Sequence, residues 1–200
     1  MQTVAYDVAL TTRFRGITRR SGMLVHGPAG WGEWSPFPEY GRPEIDAWWA
    51  AAVESASQEW PTPVRDSVAV NSIVPAVPAE LAGPYALAGG CSTAKVKVAE
   101  PSQTLADDLA RVEAVRDALG PQGRVRIDAN GAWSVEQALA AIRALARFDL
   151  EYVEQPCAQV EQLAELRLAL ARAHLDVPIA ADESIRRSGD PERVVALDAA

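Results

Sequence analysis

Apolar and polar positions follow two rhythms along this chain. From residue 67 onward, short β-branched runs with period two alternate with longer stretches of period near 3.6. SVAVNSIV (67–74), TAKVKV (93–98), VRIDAN (125–130), EYVEQP (151–156) and VPIAADES (177–184) read as strands. Residues 78–90, 104–119, 135–148, 160–173 and a start at 191–197 read as helices. In the second of these, Leu105, Leu109, Val112, Val115, Arg116 and Leu119 are expected on one face, and Gly120-Pro121 closes the helix. Ser134 is the candidate N-cap of the third, with Glu136 and Gln137 in its first turn. Gly83-Pro84 is expected to interrupt the helix over 78–90.

The order βαβαβαβαβα predicts a parallel sheet with right-handed crossovers. There is no Gly-rich dinucleotide turn and no switch in the pattern, so a (β/α) TIM-type barrel fits better than a Rossmann sheet. A complete barrel takes eight units and about 250 residues. Only about five units are visible, so the expected class is α/β with an incomplete barrel.

Residues 1–66 differ. They hold five of the six tryptophans and several Gly/Pro turns. VAYDVAL and MLVHG read as antiparallel strands, GPAG as a turn and WGEWSPFPEYG as a loop. Ile45, Trp48, Trp49, Ala52, Val53 and Ala56 form one helical face over 43–60, with Pro43 suited to the first helical position. WPTPVRD reads as a linker. The expected division is therefore an α+β domain over 1–66 and a partial barrel over 67–200, with the tryptophans as packing residues.

Composition narrows the function. The chain has 200 residues, 48% of them apolar, and a formal charge of −8. That acidic balance argues against a sequence-independent nucleic-acid grip. The basic cluster Arg13, Arg15, Arg19 and Arg20 is either solvated loop charge or a local site for a small anion. Cys91 and Cys157 are far apart and in no CxxC pattern, which argues for two buried thiols in a reducing compartment. The N-terminus has no basic leader, and no apolar run approaches membrane-spanning length. A cytoplasmic protein without nucleic-acid or membrane partners is the expectation; oligomeric state is not readable.

The chemistry lies at the strand ends. Alternation puts Lys95 and Lys97 on one face of TAKVKV. Asp128, Glu154 and Asp182 follow at intervals of 31, 26 and 28 residues, about one strand plus one helix per step. Two ammonium groups side by side require anions opposite; the alternative is an edge strand whose lysines discourage pairing. Three carboxylates at one barrel mouth suit a hard divalent cation with room for a substrate carboxylate. No His or Cys near those strand ends suggests zinc, and His26 and His174 read as structural or surface residues. Removing a proton α to a carboxylate creates an enediolate whose charge such a cation would stabilise. A lysine serves as base only if its pKa falls, as a like charge and a nearby cation make it do. Asn130 and Glu183 are candidates to orient the ligands, or else to cap the following loops. Ser184 has no base nearby in sequence and is not a nucleophile candidate.

The runs TAKVKV, RIDANGAW, EYVEQP and IAADES resemble the catalytic and metal-binding segments of the enolase superfamily, muconate-lactonizing subgroup. The resemblance implies Lys97 as general acid/base and Lys95 as its neighbour, tuning its pKa and contacting the substrate carboxylate. It also implies Asp128, Glu154 and Asp182 as ligands of Mg2+, with Mn2+ as a substitute, and a small-molecule carboxylate as substrate. Residues 1–66 would be a capping domain whose RFRGIT loop closes over that substrate, with Arg15 touching a succinyl carboxylate. RFRGIT, GWGEWSPFPEYG, STAKVKVAE and ADESIRR resemble the subgroup's lyases of menaquinone synthesis. Relatives that racemise N-acylamino acids or epimerise dipeptides share the same site, and a non-catalytic remnant is the third alternative. The family carries another lysine on the strand after its DES segment, beyond Ala200 of this chain.

Overall fold

The computed structural model describes residues 1–14, 17–187 and 189–200, with the side chains of 12–14 left out. The chain divides into two compact units, Met1–Ser67 and Val68–Ala200.

The first unit is an antiparallel sheet of β1 (Gln2–Phe14), β2 (Ile17–Gly27) and β3 (Gly30–Trp34), with helix α1 (Glu44–Ser57). WGEW is therefore a strand and not the expected loop. Trp31 and Trp34 pair with His26 and Met23 across a tight turn at Gly27–Gly30. Pro43 is the N-cap of α1 rather than its first helical residue. Ala52 and Ala56 are buried, and Gly32 lets the carbonyl of Ala52 lie where a side chain would otherwise stand. Trp34 and Trp49 pack as expected, whereas Trp31 and Trp60 are largely exposed. Trp34 meets Trp49 edge-on at 5.9 Å and donates its ring N–H to the Ile45 carbonyl at 3.1 Å. His26 packs against Trp31, with ring centroids 4.5 Å apart.

The second unit is a five-stranded parallel sheet in sequential order. Its strands are β4 (Ser72–Val74), β5 (Thr93–Lys97), β6 (Arg124–Asp128), β7 (Leu150–Glu154) and β8 (Ile179–Ala180). The helices are α2 (Ala79–Ala86), α3 (Leu105–Leu119), α4 (Val135–Leu145), α5 (Val160–Arg172) and α6 (Asp190–Ala196). This is the expected partial barrel. β4 is shorter than the sequence suggests, because its one partner begins at Thr93 and the register Ser72 with Ala94 leaves 67–71 without a ladder. α2 runs through Gly83-Pro84 instead of breaking there. Proline at that point removes a single helical N–H.

Alternation sorts the sheet into two faces. Ala94, Val96, Val125, Ile127 and Val153 are buried and join a core with Val112, Val115, Ile142, Leu163 and Leu166 from the helices. Thr104 and Ser134 both form capping boxes, so α3 and α4 start where the sequence places them. The buried face of α3 is rotated from the expected one: Asp108 and Arg111 are buried with Val112 and Val115, while Leu105 is exposed.

Candidate active site

Parallel pairing aligns the site residues in one row. Lys97 is the register partner of Asp128, Asp128 of Glu154, and Glu154 of Ala180. In-register neighbours of a parallel sheet project to the same side. All three charged side chains therefore emerge at the C-terminal ends of β5, β6 and β7, where barrel enzymes carry their chemistry. β5 lies between two neighbours, so its lysines do not guard an edge.

The contacts are direct. Lys97 Nζ donates to Asp128 Oδ2 at 2.5 Å and to Asn130 Oδ1 at 2.8 Å. Lys95 Nζ donates to Glu154 Oε1 at 2.6 Å and lies 3.3 Å from Asp128 Oδ2. The Asn130 backbone N–H donates to Asp128 Oδ1 at 2.9 Å, and its side-chain amide donates to Glu183 Oε1 at 3.1 Å. One chain of contacts thus runs from Glu154 through Lys95, Asp128, Lys97 and Asn130 to Glu183. Asp182 lies two residues beyond β8, not on it. Its charge acts on Glu154, and its backbone N–H donates to Gln155 Oε1 at 2.9 Å.

The electrostatics follow from burial and charge. Burial raises the Glu154 carboxyl and the charges of Asp128 and Asp182 add to that, outweighing the Lys95 hydrogen bond. Burial also works against ionised Asp128, yet its bonds to Lys97 and the Asn130 N–H and the two ammonium charges hold it below the ordinary range. Lys95 is raised: burial opposes its charge, but the Glu154 hydrogen bond and the charges of Asp128 and Glu154 prevail.

The donors suit a hard divalent cation. They are all carboxylate oxygens, Glu154 is crowded by like charge, and Glu183 Oε2 is buried with no hydrogen-bond partner among the described residues. As arranged, no three His, Cys, Asp or Glu side chains among the described residues form a ready metal cage. The lysines occupy Asp128 and Glu154 instead. A cation would require both ammonium groups to move off those oxygens.

Other candidates fare differently. Arg15 lies outside the described residues. Arg19 pairs with Asp7 at 2.7 Å, and Arg20 donates to the Ser35 carbonyl and covers the Phe37 ring, so neither is a free anion binder. His26 and His174 take no part in the charged cluster. Cys157 is buried and Cys91 half-buried, and both are free thiols. Sequence reasoning passed over Gln155, whose amide joins the loops around the site, and the buried pair Asp108 and Arg111. No helix of the described residues is long and apolar enough to cross a membrane.

The chain belongs to the enolase-like family: residues 79–200 match the model described as enolase C-terminal domain-like, and 5–56 the enolase N-terminal domain-like model. More particularly, it is 62% identical over 196 residues to the o-succinylbenzoate synthase of Thermobifida fusca, an alignment covering 98% of this chain and 60% of that one. It is 55% identical over 194 residues to the enzyme of the same name from Mycolicibacterium smegmatis, covering 96% and 58%. The chain thus spans about 60% of the length of these curated relatives. Among solved structures, the L-Ala-D/L-Glu epimerase of Bacillus subtilis matches with TM-score 0.74 at 22% identity, covering 100% of this chain and 71% of that one. The o-succinylbenzoate synthase of Thermosynechococcus elongatus BP-1, solved with Mg in its active site, matches with TM-score 0.65 at 25% identity, covering 99% and 73%.

Proposed function

We propose that these residues carry the base and the cation site of an o-succinylbenzoate synthase. The reaction is dehydration of 2-succinyl-6-hydroxy-2,4-cyclohexadiene-1-carboxylate to 2-succinylbenzoate in menaquinone biosynthesis. The observation that carries this reading is the charged row Lys97, Asp128 and Glu154, aligned in register at the sheet's C-terminal edge. The names of the close relatives supply the product.

Asp128, Glu154 and Asp182 would hold Mg2+, with Mn2+ able to substitute. When bound, the cation would stabilise negative charge developing on the substrate carboxylate. The remaining work falls to this chain's own side chains. Lys97 is a base only as the free amine, so its bond to Asp128 must open before it can accept the proton α to the carboxylate. The electrons of that C–H bond form the new ring double bond as the hydroxyl departs. The ammonium so formed returns its proton to that hydroxyl, and water leaves. Lys95, moved off Glu154 and Asp128, would face the substrate carboxylate. Asn130 would hold Lys97 through its amide oxygen once Asp128 is released. Arg15 is our candidate for the succinyl carboxylate.

The test is turnover of the cyclohexadiene substrate with Mg2+ by the natural gene product that contains residues 1–200. Dehydration lost in Lys97→Ala is expected. No dehydration alongside fast racemisation of N-succinylamino acids would overturn the assignment.

A further inference from the structure

Gln155 follows Glu154 and is completely buried. A buried amide is tolerated only when its polar atoms are bonded, and here they are. Oε1 accepts from the backbone N–H groups of Asp182 at 2.9 Å and Ser184 at 3.2 Å. Nε2 donates to the Cys157 carbonyl at 3.0 Å and to Ser184 Oγ at 2.6 Å. The main chain adds two more links: its N–H donates to the Ala180 carbonyl at 2.8 Å, and its carbonyl accepts from Gly131 at 2.6 Å. One residue therefore ties together the segments that follow β6, β7 and β8. Its φ of 37° is left-handed, a conformation that a residue with a side chain keeps only where its surroundings fix it.

Asp182 needs such support. β8 ends at Ala180, and Asp182 has φ −126° and ψ −73°, outside regular structure. Nothing in the strand ladder orients it. Its N–H bond to Gln155 and that of Ser184 bracket the very peptide units that set the direction of its carboxylate.

We infer that Gln155 is a positioning residue for Asp182, its amide standing in for the strand that has ended and aiming that carboxylate at Glu154 and Asp128. The inference rests on the cation-site reading above. A residue that merely filled core volume would be replaceable by any side chain of similar size.

The test uses Gln155→Met, which keeps the volume and deletes all four side-chain bonds, and Gln155→Glu, which keeps an oxygen facing both N–H groups. Amide hydrogen exchange and Mg2+ titration calorimetry are run on the same samples. In the Met variant, protection at Asp182 and Ser184 is expected to fall at least tenfold while β6 and β7 stay protected. Mg2+ affinity is expected to fall roughly 10–100-fold, the usual effect of losing a group that orients a ligand. The Glu variant is expected to retain the protection. Unchanged exchange in the Met variant, or unchanged Mg2+ affinity despite lost protection, overturns the inference. Wild-type protein that binds no Mg2+ refutes the cation site, and hydrogen exchange then judges the amide clamp alone. Should the Met variant fail to fold, Ser184→Ala removes one bond to the same amide, and a two- to fivefold loss of protection at Asp182 is expected; no loss overturns the clamp.

Discussion

Lys97 Nζ lies 2.5 Å from Asp128 Oδ2, and the same two residues are backbone partners across β5 and β6. The proposed base and a proposed cation ligand are thus held together by the sheet itself. Without a cation, each neutralises the other. Asp128→Asn keeps the shape and removes the charge that both lysines use. A loss of about 1–3 kcal/mol is expected, the range for unpairing a buried polar partner, because both lysines reach solvent in part. Urea denaturation measures it; Mg2+ calorimetry on the same variant should show at least a tenfold weaker site.

Arg111 secures the strand that carries the base. It is fully buried and donates to the Val77 carbonyl at 2.7 Å, the Lys97 carbonyl at 2.8 Å and Asp108 Oδ1 at 2.9 Å, and it also bonds Gln103. The other Asp108 oxygen accepts from Ala99 N–H at 3.0 Å, where the chain turns through φ 62°. Arg111→Met leaves the Asp108 charge buried and unpaired, which costs about 3–5 kcal/mol. Equilibrium unfolding should show that loss. A change below 1 kcal/mol would mean that the network relaxes without it.

The two thiols should separate by reactivity. Burial and the Glu165 charge push the Cys157 thiol up to about 11, from an ordinary 9.0. A raised thiol stays protonated in the folded chain. Its stabilising contribution is complete below 9.0 and is lost as pH climbs through about 11. At pH 8, Ellman's reagent should label Cys91 in the native protein and reach Cys157 only after denaturation. Two fast equivalents in the native state would contradict the burial of Cys157.

Gly32 tests the first unit. A Cβ there would overlap the backbone carbonyl of Ala52 on α1, whereas Gly41 has nothing within 4 Å. Gly32→Ala should cost roughly 1–3 kcal/mol by forcing helix and sheet apart. Gly41→Ala should stay within about 0.5 kcal/mol. Thermal unfolding of the pair decides, and equal melting points would refute the close packing.

Period two made Lys95 and Lys97 legible as one face of β5, and the recurrence of Asp128 and Glu154 made the row legible, because parallel register carries alternation from strand to strand. Helix starts at Thr104 and Ser134 were readable because their caps are local. Asp108 and Arg111 were not. In sequence a buried charge looks like a solvated one, and these are buried by the carbonyls of residues 77 and 97 and the N–H of residue 99. Gln155 escaped for the same reason: its partners lie up to 29 residues away. The strand Gly30–Trp34 is not legible in sequence because Gly and Pro nearby signal turns more strongly than two tryptophans signal pairing.

The central claim is that the carboxylates of Asp128 on β6, Glu154 on β7 and Asp182 just beyond β8 share one cation, and a crystal soaked in Mn2+ tests it most directly. An anomalous peak bounded by the oxygens of Asp128, Glu154 and Asp182, with the Lys95 and Lys97 ammonium groups withdrawn from Glu154 and Asp128, is the expected result. A peak elsewhere, or none with both lysine pairs intact, would contradict the account.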